Sequence, residues 1–320
     1  MISWQAHCFN LCVRTLIRRR SWGDDEQAVA RRARRLFGAT RLFQWLRTRG
    51  LRLLPFVDDD AGVRGEWVTS AEPDQQVILY LHGGGYVSCS SATHRPITAA
   101  LARLTRRRVF ALDYPLAPEH RFPAALDNSV AAYRWLLEQG LPASDISLAG
   151  DSAGGGLVLG TLLRARDEGL PLPSCAVCFS PWTDLAGTGA SVLSNDGRCQ
   201  MFRTENIAEF AAAYLGNASP LDPYASPAFA DLGGLPPLLL QVGSTEILLD
   251  DSRRVDAKVR EAGGISKLEI YDDLFHCWQM LDGIVPESRI ALRQVATFIC
   301  HHRLPTDNAS LVHSNILGGM

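Results

Sequence analysis

The sequence predicts an α/β protein, a mostly parallel sheet covered on both faces by helices. Short β-rich apolar runs alternate with longer stretches of helical spacing, and the runs are continuously apolar, as strands buried on both faces are. Right-handed crossovers between parallel strands then place helices on both sides. At 320 residues and 47% hydrophobic, the chain has enough apolar content for one large core and a small accessory element.

In chain order, residues 1–50 read as helical, with Trp4, Phe9, Leu11, Leu16, Leu36, Phe43 and Leu46 at apolar positions. Strand-like pieces follow at Leu51–Val57 and Gly65–Ser70. The regular alternation starts with a strand at Gln76–Leu81 and a helix at Thr93–Leu104. It continues through strand Arg108–Asp113, helix Ala124–Gln139, strand Ile146–Ala149, helix Ala153–Asp167 and strand Cys175–Phe179. Strand Pro237–Val242, helix Leu248–Ala262, strand Lys267–Tyr271 and helix Pro286–His301 complete it. Thr183–Leu235 breaks the rhythm, because it is long, partly helical and without a clear strand. Insertions of that length usually form a lid or a binding wall. The expected organisation is an N-terminal helical cap segment (1–50), a catalytic domain (51–303) with a second cap insertion (183–235), and a loose tail (304–320).

Charged residues make up 21% of the chain and the formal net charge is −2, so nothing points to nucleic acid. The charge is uneven. Residues 1–50 hold eleven Arg and three acids, a net of +8, which leaves −10 for the remainder. A basic, apolar-rich start is read as a solvent-facing cap helix, with weak membrane-surface contact as the alternative. Arg14 and Arg18–Arg20 follow the apolar residues instead of preceding them, unlike a signal peptide. No stretch approaches the ~20 apolar residues of a spanning helix, and a cytoplasmic protein is expected. Eight Cys in a chain of this size do not form a disulfide framework. Cys175 and Cys178 make a lone CxxC inside an apolar run and read as core thiols. Cys89 and Cys277 flank the motifs below, which suggests sensitivity to thiol reagents.

Ile146-Ser-Leu-Ala-Gly150-Asp-Ser152-Ala-Gly154-Gly-Gly156 is the most informative stretch. It is G-x-S-x-G with a strand before it and a helix after it, the context in which that motif carries meaning. The tight turn projects Ser152 Oγ above the sheet, and the helix from Ala153 aims unpaired N–H groups at any oxyanion formed there. A second glycine stretch, His82-Gly83-Gly84-Gly85-Tyr86, follows another apolar strand. Three successive Gly let backbone N–H groups approach an oxyanion with no Cβ in the way. Tyr86-Val-Ser follows where a phosphate loop has Lys and Ser/Thr. The expected oxyanion donors are the N–H groups of Gly83, Gly84 and Ala153, with His82 bracing the loop.

A nucleophilic Ser needs a base, and the base needs an orienting acid. His276, in the loop after strand Lys267–Tyr271, is the one His after Ser152 that precedes the terminal region, where His301, His302 and His313 lie. Glu246 is the first carboxylate beyond strand Pro237–Val242 and would emerge on the same sheet edge, so it is favoured as the acid. Asp250 is the alternative, one turn into the next helix, and Asp272 and Asp273 are more distant candidates. The implied chemistry is two-step acyl transfer needing no metal or organic cofactor.

These residues resemble the hormone-sensitive-lipase family of bacterial esterases, from about Val77 to about His301. The matching pieces, in the family's order, are His82-Gly-Gly-Gly-Tyr86, Asp113-Tyr-Pro-Leu-Ala-Pro-Glu-His-Arg-Phe-Pro-Ala124, Gly150-Asp-Ser-Ala-Gly-Gly155, Gly243-Ser-Thr-Glu246-Ile-Leu-Leu-Asp250 and Phe275-His276. The resemblance implies an eight-stranded α/β-hydrolase core with a helical cap, and hydrolysis of short- to medium-chain carboxylic esters. Members are often homodimers. Three departures stand out: Pro115 where many members have Arg, Glu246 where Asp is commoner, and a basic N-terminal stretch that does not map residue by residue. An amidase or small-metabolite deacetylase would use the same machinery. A ligand-binding protein on the same fold is the remaining alternative, disfavoured because Ser152, Glu246 and His276 are all present.

Overall fold

A computed structural model describes residues 2–18, 22, 23, 25–38 and 46–302. Phe43, Trp45 and the tail 304–320 lie outside the described residues. Eight strands form one sheet in the order β1-β2-β4-β3-β5-β6-β7-β8. They are β1 (Arg52–Asp58), β2 (Val63–Thr69), β3 (Val77–Leu81), β4 (Arg108–Leu112), β5 (Ile146–Asp151), β6 (Cys175–Phe179), β7 (Leu238–Gly243) and β8 (Ser266–Tyr271). β1–β2 and β2–β4 pair antiparallel, and all later pairs are parallel. The hydrolase-type sheet expected from the sequence is therefore present, with each strand within about two residues of its predicted span.

Every residue of β3, β5, β6 and β7 is buried, which is why these strands read as largely apolar runs, broken only by Ser147, Asp151 and Gln241. A fully buried Val or Leu contributes about 1.5–3 kcal/mol, so the sheet centre is the rigid part of the molecule. The helices are α1 (Trp4–Val13), α2 (Glu26–Phe37), α3 (Arg95–Thr105), α4 (Ala124–Glu138), α5 (Ala153–Asp167), α6 (Ala190–Ser194), α7 (Thr204–Leu215), α8 (Leu249–Glu261) and α9 (Pro286–His301). A π-helical turn at Arg14–Arg18 continues α1.

α1 and α2 start at conventional caps: Ser3 Oγ accepts from the Ala6 N–H and Asp25 from the Ala28 N–H. α2 packs against α7, so the two cap segments meet although some 180 residues separate them. Trp22, stacked on Phe37 and edge-on to Phe210, sits at that junction. Arg34 then ties the cap to the body, donating to the Val87 and Ala117 carbonyls and pairing with Glu119. Cys175 and Cys178 are buried β6 residues, as core thiols should be.

Candidate active site

Four loops leave the carboxyl ends of β3, β5, β7 and β8 on one edge of the sheet. In open α/β sheets this is the edge where ligands bind. After β5 the chain turns so sharply that Ser152 takes φ +53°, a left-handed conformation costing roughly 1–3 kcal/mol outside Gly. The turn is held from both sides. The Ser152 N–H donates to the Phe179 carbonyl at 2.8 Å, and its carbonyl accepts from the N–H groups of Gly155, Gly156 and Trp182. A Cβ at Gly154 would strike the Leu81 and His82 carbonyls, so only Gly lets α5 start this close to β3.

After β7, the Glu246 carboxylate turns back onto the strand end. Oε1 accepts from the Gly243 N–H at 2.6 Å and Ser180 Oγ at 2.7 Å, and Oε2 meets His276 Nδ1 at 2.6 Å. Glu246 and His276 are 1% and 4% exposed, so the contact is out of water's reach. The other ring nitrogen, Nε2, is buried with no hydrogen-bond partner among the described residues. Ser152 Oγ is therefore not bonded to it in this resting structure. Nucleophile–base contacts are often long until substrate tightens them. Asp250 is elsewhere: it accepts from the Ser191 N–H at 2.8 Å and pairs with Arg253. Asp273 is on the surface, its N–H bonded to Ser244 Oγ.

The glycine loop after β3 departs from expectation at one position. The Gly83 N–H donates to Asp151 Oδ1 at 3.0 Å, with His94 Nε2 at 3.3 Å, so it is not available to an oxyanion. The Asp151 carboxylate lies where a Gly83 Cβ would be. Gly84 and Gly85 line the cavity instead, both at positive φ, and their N–H groups meet no acceptor among the described residues. Ala153 opens α5, so its N–H has no partner within the helix. His82 braces the loop as expected: Nδ1 contacts the Gly83 carbonyl at 2.7 Å, the ring stacks on Tyr114, and the Tyr114 hydroxyl donates to the His82 carbonyl. Burial, with His94 adding to it, pushes the His82 imidazole down to about 3, so it stays neutral.

Residues 78–280 match a protein family described as having the alpha/beta hydrolase fold. An acetyl-hydrolase of Streptomyces hygroscopicus is 45% identical over 234 residues, 73% of this chain and 78% of that protein. An esterase of Acinetobacter venetianus is 39% identical over 239 residues, 74% of this chain and 79% of that one. A solved esterase of the bacterial hormone-sensitive lipase family superposes with a TM-score of 0.85 at 38% identity, covering 95% of this chain and 100% of the other. The chain belongs to the hormone-sensitive-lipase family of α/β hydrolases. It is a carboxylic ester hydrolase.

The hydrolase keeps a cavity of about 400 Å³ over this site. Ser152, His276, Gly84 and Gly85 form its floor. Its walls are apolar: Val13, Ile17 and Phe37 from the N-terminal segment and Phe202, Ile207 and Phe210 from the insertion meet Leu248, Phe275 and Met280 from the body. Phe202 sits edge-on to the His276 ring, 5.1 Å between centroids. Of the aromatic residues expected in the cap, Phe202 and Phe210 reach the cavity and Tyr214 stacks on Tyr86, whereas Trp4 points outward, 72% exposed. The cysteines beside the motifs are not activated. Burial pushes Cys89 up to about 12 and Cys277 well above its ordinary range, which removes the basis for expecting thiolate chemistry at either. Among the described residues no helix is long and apolar enough to cross a membrane.

Three polar residues at the site carried no role in the sequence: Asp151, His94 and Ser180. Asp151 stands inside the quoted elbow motif, an ionisable side chain between Gly150 and the nucleophile. That was its one available signal. His94 and Ser180 reach the site by tertiary contact alone.

Proposed function

We propose that this hydrolase cleaves short- to medium-chain carboxylic esters through an acyl-enzyme, with Ser152 as nucleophile, His276 as base and Glu246 as the residue that orients it. The observation that carries this is the 2.6 Å contact from Glu246 Oε2 to His276 Nδ1. It assigns the proton to Nδ1 and leaves Nε2, on the cavity floor with Ser152, as the acceptor. Ser152 Oγ attacks the ester carbonyl and its proton passes to Nε2. The carbonyl oxygen becomes an oxyanion, which the N–H groups of Gly84, Gly85 and Ala153 receive. The tetrahedral intermediate collapses as His276 returns the proton to the departing alkoxide, and alcohol leaves. Water then attacks the acyl-enzyme by the same proton route and releases the acid. An apolar cavity of about 400 Å³ supports acyl groups of modest length. The test is a p-nitrophenyl ester series from acetate to palmitate on wild type and Ser152→Ala. Turnover of the shorter esters that falls ~10³-fold or more in the variant is expected. An inactive wild type, or an equally active variant, overturns the assignment.

A second reading concerns where the enzyme meets its esters. On α1 and its π-turn Trp4, Leu11 and Leu16 are 72, 65 and 52% exposed, and Leu16 also lines the cavity. The first fifty residues carry the net +8. Exposed apolar side chains on a basic segment suit an anionic lipid surface. Activity that rises on anionic vesicles and falls with salt is the expected result, and indifference to both would sink this reading.

A further inference from the structure

One buried carboxylate connects every loop that shapes the oxyanion site. Asp151 is 3% exposed and ends β5, one residue before Ser152. Its Oδ1 accepts from the Tyr80 hydroxyl at 2.7 Å and from the Gly83 N–H at 3.0 Å, and its Oδ2 faces His94 Nε2 at 3.1 Å. Tyr80 lies in β3, Gly83 in the glycine loop, and His94 caps the start of α3, with Thr93 Oγ1 on its Nδ1 at 2.9 Å. His94 is 4% exposed, so the pair is buried, with both residues bordering the cavity.

The arrangement has a geometric and an electrostatic consequence. Holding the Gly83 N–H fixes the peptide plane entering the glycine loop, and with it the direction of the next two N–H groups. A carboxylate one residue from the nucleophile would also oppose a developing oxyanion unless its charge were balanced. Hydrogen bonds from the Tyr80 hydroxyl and the Gly83 N–H, with the His94 ring 3.1 Å away, offset that charge. We propose that Asp151 and His94 are positioning residues of the ester hydrolysis: Asp151, held in place by His94, turns the Gly83 N–H away from the cavity and aims those of Gly84 and Gly85 into it. Neither side chain exchanges a proton with substrate. The proposal rests on the acyl-enzyme reading above.

The test uses the full chain and p-nitrophenyl butyrate, with Ser152→Ala as the control. Asp151→Ala frees the Gly83 N–H, and kcat is expected to fall ~10²-fold or more, the scale of a lost oxyanion donor, with KM changed less than threefold. Asp151→Asn keeps an acceptor for Gly83 and removes the charge, and it should recover at least ~10-fold of that loss. His94→Gln removes the ring that holds the carboxylate in place, so kcat should fall with KM changed less than threefold. A trifluoromethyl ketone, which forms a tetrahedral adduct on Ser152, should lose affinity in step with kcat. Asp151→Asn as inactive as Asp151→Ala, kcat and KM worsening together, or analogue affinity unchanged would each overturn the pair's role. An inactive wild type, or a fully active Ser152→Ala, would instead overturn the underlying reading and the inference with it.

Discussion

Around Ser152, Glu246 and His276 most polar atoms are paired in a dense network, His276 Nε2 excepted. Glu246 holds three groups, Asp151 holds three more, and the Ser152 backbone bonds to four neighbours. In the cap, by contrast, Trp22, Phe37, Phe202 and Phe210 meet ring against ring. The cap is tethered by ion pairs that are partly open to water, such as Arg34–Glu119 and the close Arg121–Glu26 contact. Hydrogen bonds are directional and fix atoms to fractions of an ångström, as acyl transfer requires. Apolar contacts are not directional and yield by rotamer changes, as a pocket for varied acyl groups requires. Substitutions at the sheet edge should therefore act on rate, and substitutions in the cap on substrate preference.

The sharpest break of that division comes at the proposed base. His276→Ala is expected to lower kcat by ~10³-fold or more on every ester of the series alike. Loss confined to long esters would show that the imidazole acts through the cap instead. Glu246 offers a graded version. Glu246→Gln exchanges an ionised acceptor for an amide and should cost ~10²–10⁴-fold. Glu246→Asp keeps the charge but is one methylene shorter, so the 2.6 Å contact to His276 opens, and a smaller loss is expected. An Asp variant as impaired as the Gln variant would mean that reach matters more than charge.

In the cap, Phe202→Ala removes the ring edge-on to His276 and enlarges the cavity beside the floor. The ratio of kcat/KM for long over short esters should rise by roughly 10-fold or more, the scale of a methylene or two in an apolar pocket. A uniform drop across the series would instead place Phe202 with the proton-transfer machinery.

The division also explains what could be read in the sequence. β3 and β6 are apolar at every position and β5 and β7 at most of theirs, so their number and order were legible, and the glycines at 150 and 154 announced the turn at Ser152. His276 and Glu246 followed from chain order, because each lies just past the end of a strand that could be recognised. Gly83 was misassigned as an oxyanion donor because three adjacent glycines look alike in sequence. What separates them is the Asp151 carboxylate, a contact across 68 residues. The cap was legible as helical and apolar, but which rings face the cavity depends on how two distant segments dock, and no local pattern carries that. Trp4 and Phe210 look equivalent in the sequence, yet one is 72% and the other 5% exposed.

Asp251 tests the seam between the two regions. It leads α8 and accepts from the N–H groups of Thr183 and Asp184, where the cap insertion begins, while its Oδ1 has no partner among the described residues. Burial pushes it up to about 8, against those N–H bonds, with the Asp184 charge adding to the rise. An unfolded Asp titrates near ~3.9. Between there and about 8 the unfolded chain gives up a proton that the folded one keeps. The associated stability is thus full below the unfolded value and is lost as pH rises through about 8. Asp251→Asn keeps the acceptor for both N–H groups and does not ionise. Wild-type Tm should fall more steeply than the variant's between pH 5 and 9, by a few degrees, roughly 2–4 °C per kcal/mol at this size. Parallel curves would mean that the seam stays ionised.

The smallest effect concerns the cysteines, which lie in both regions. Cys277 joins the paired network through its N–H on Ser180 Oγ, half-buried Cys89 lies beside it, and desolvation raises both thiols. Cys8, Cys12 and Cys300 are exposed, and Cys12 is also a cavity wall. Brief N-ethylmaleimide treatment at neutral pH should label those three and spare Cys89 and Cys277, as read by peptide mass. Turnover of the acetate ester should not change, because nothing on the floor is touched. Any effect should appear as a raised KM for longer esters and should vanish in Cys12→Ser. Loss of acetate turnover together with label on Cys277 would instead show that the network opens on the minutes scale, and that the sheet edge is less closed than its hydrogen bonds imply.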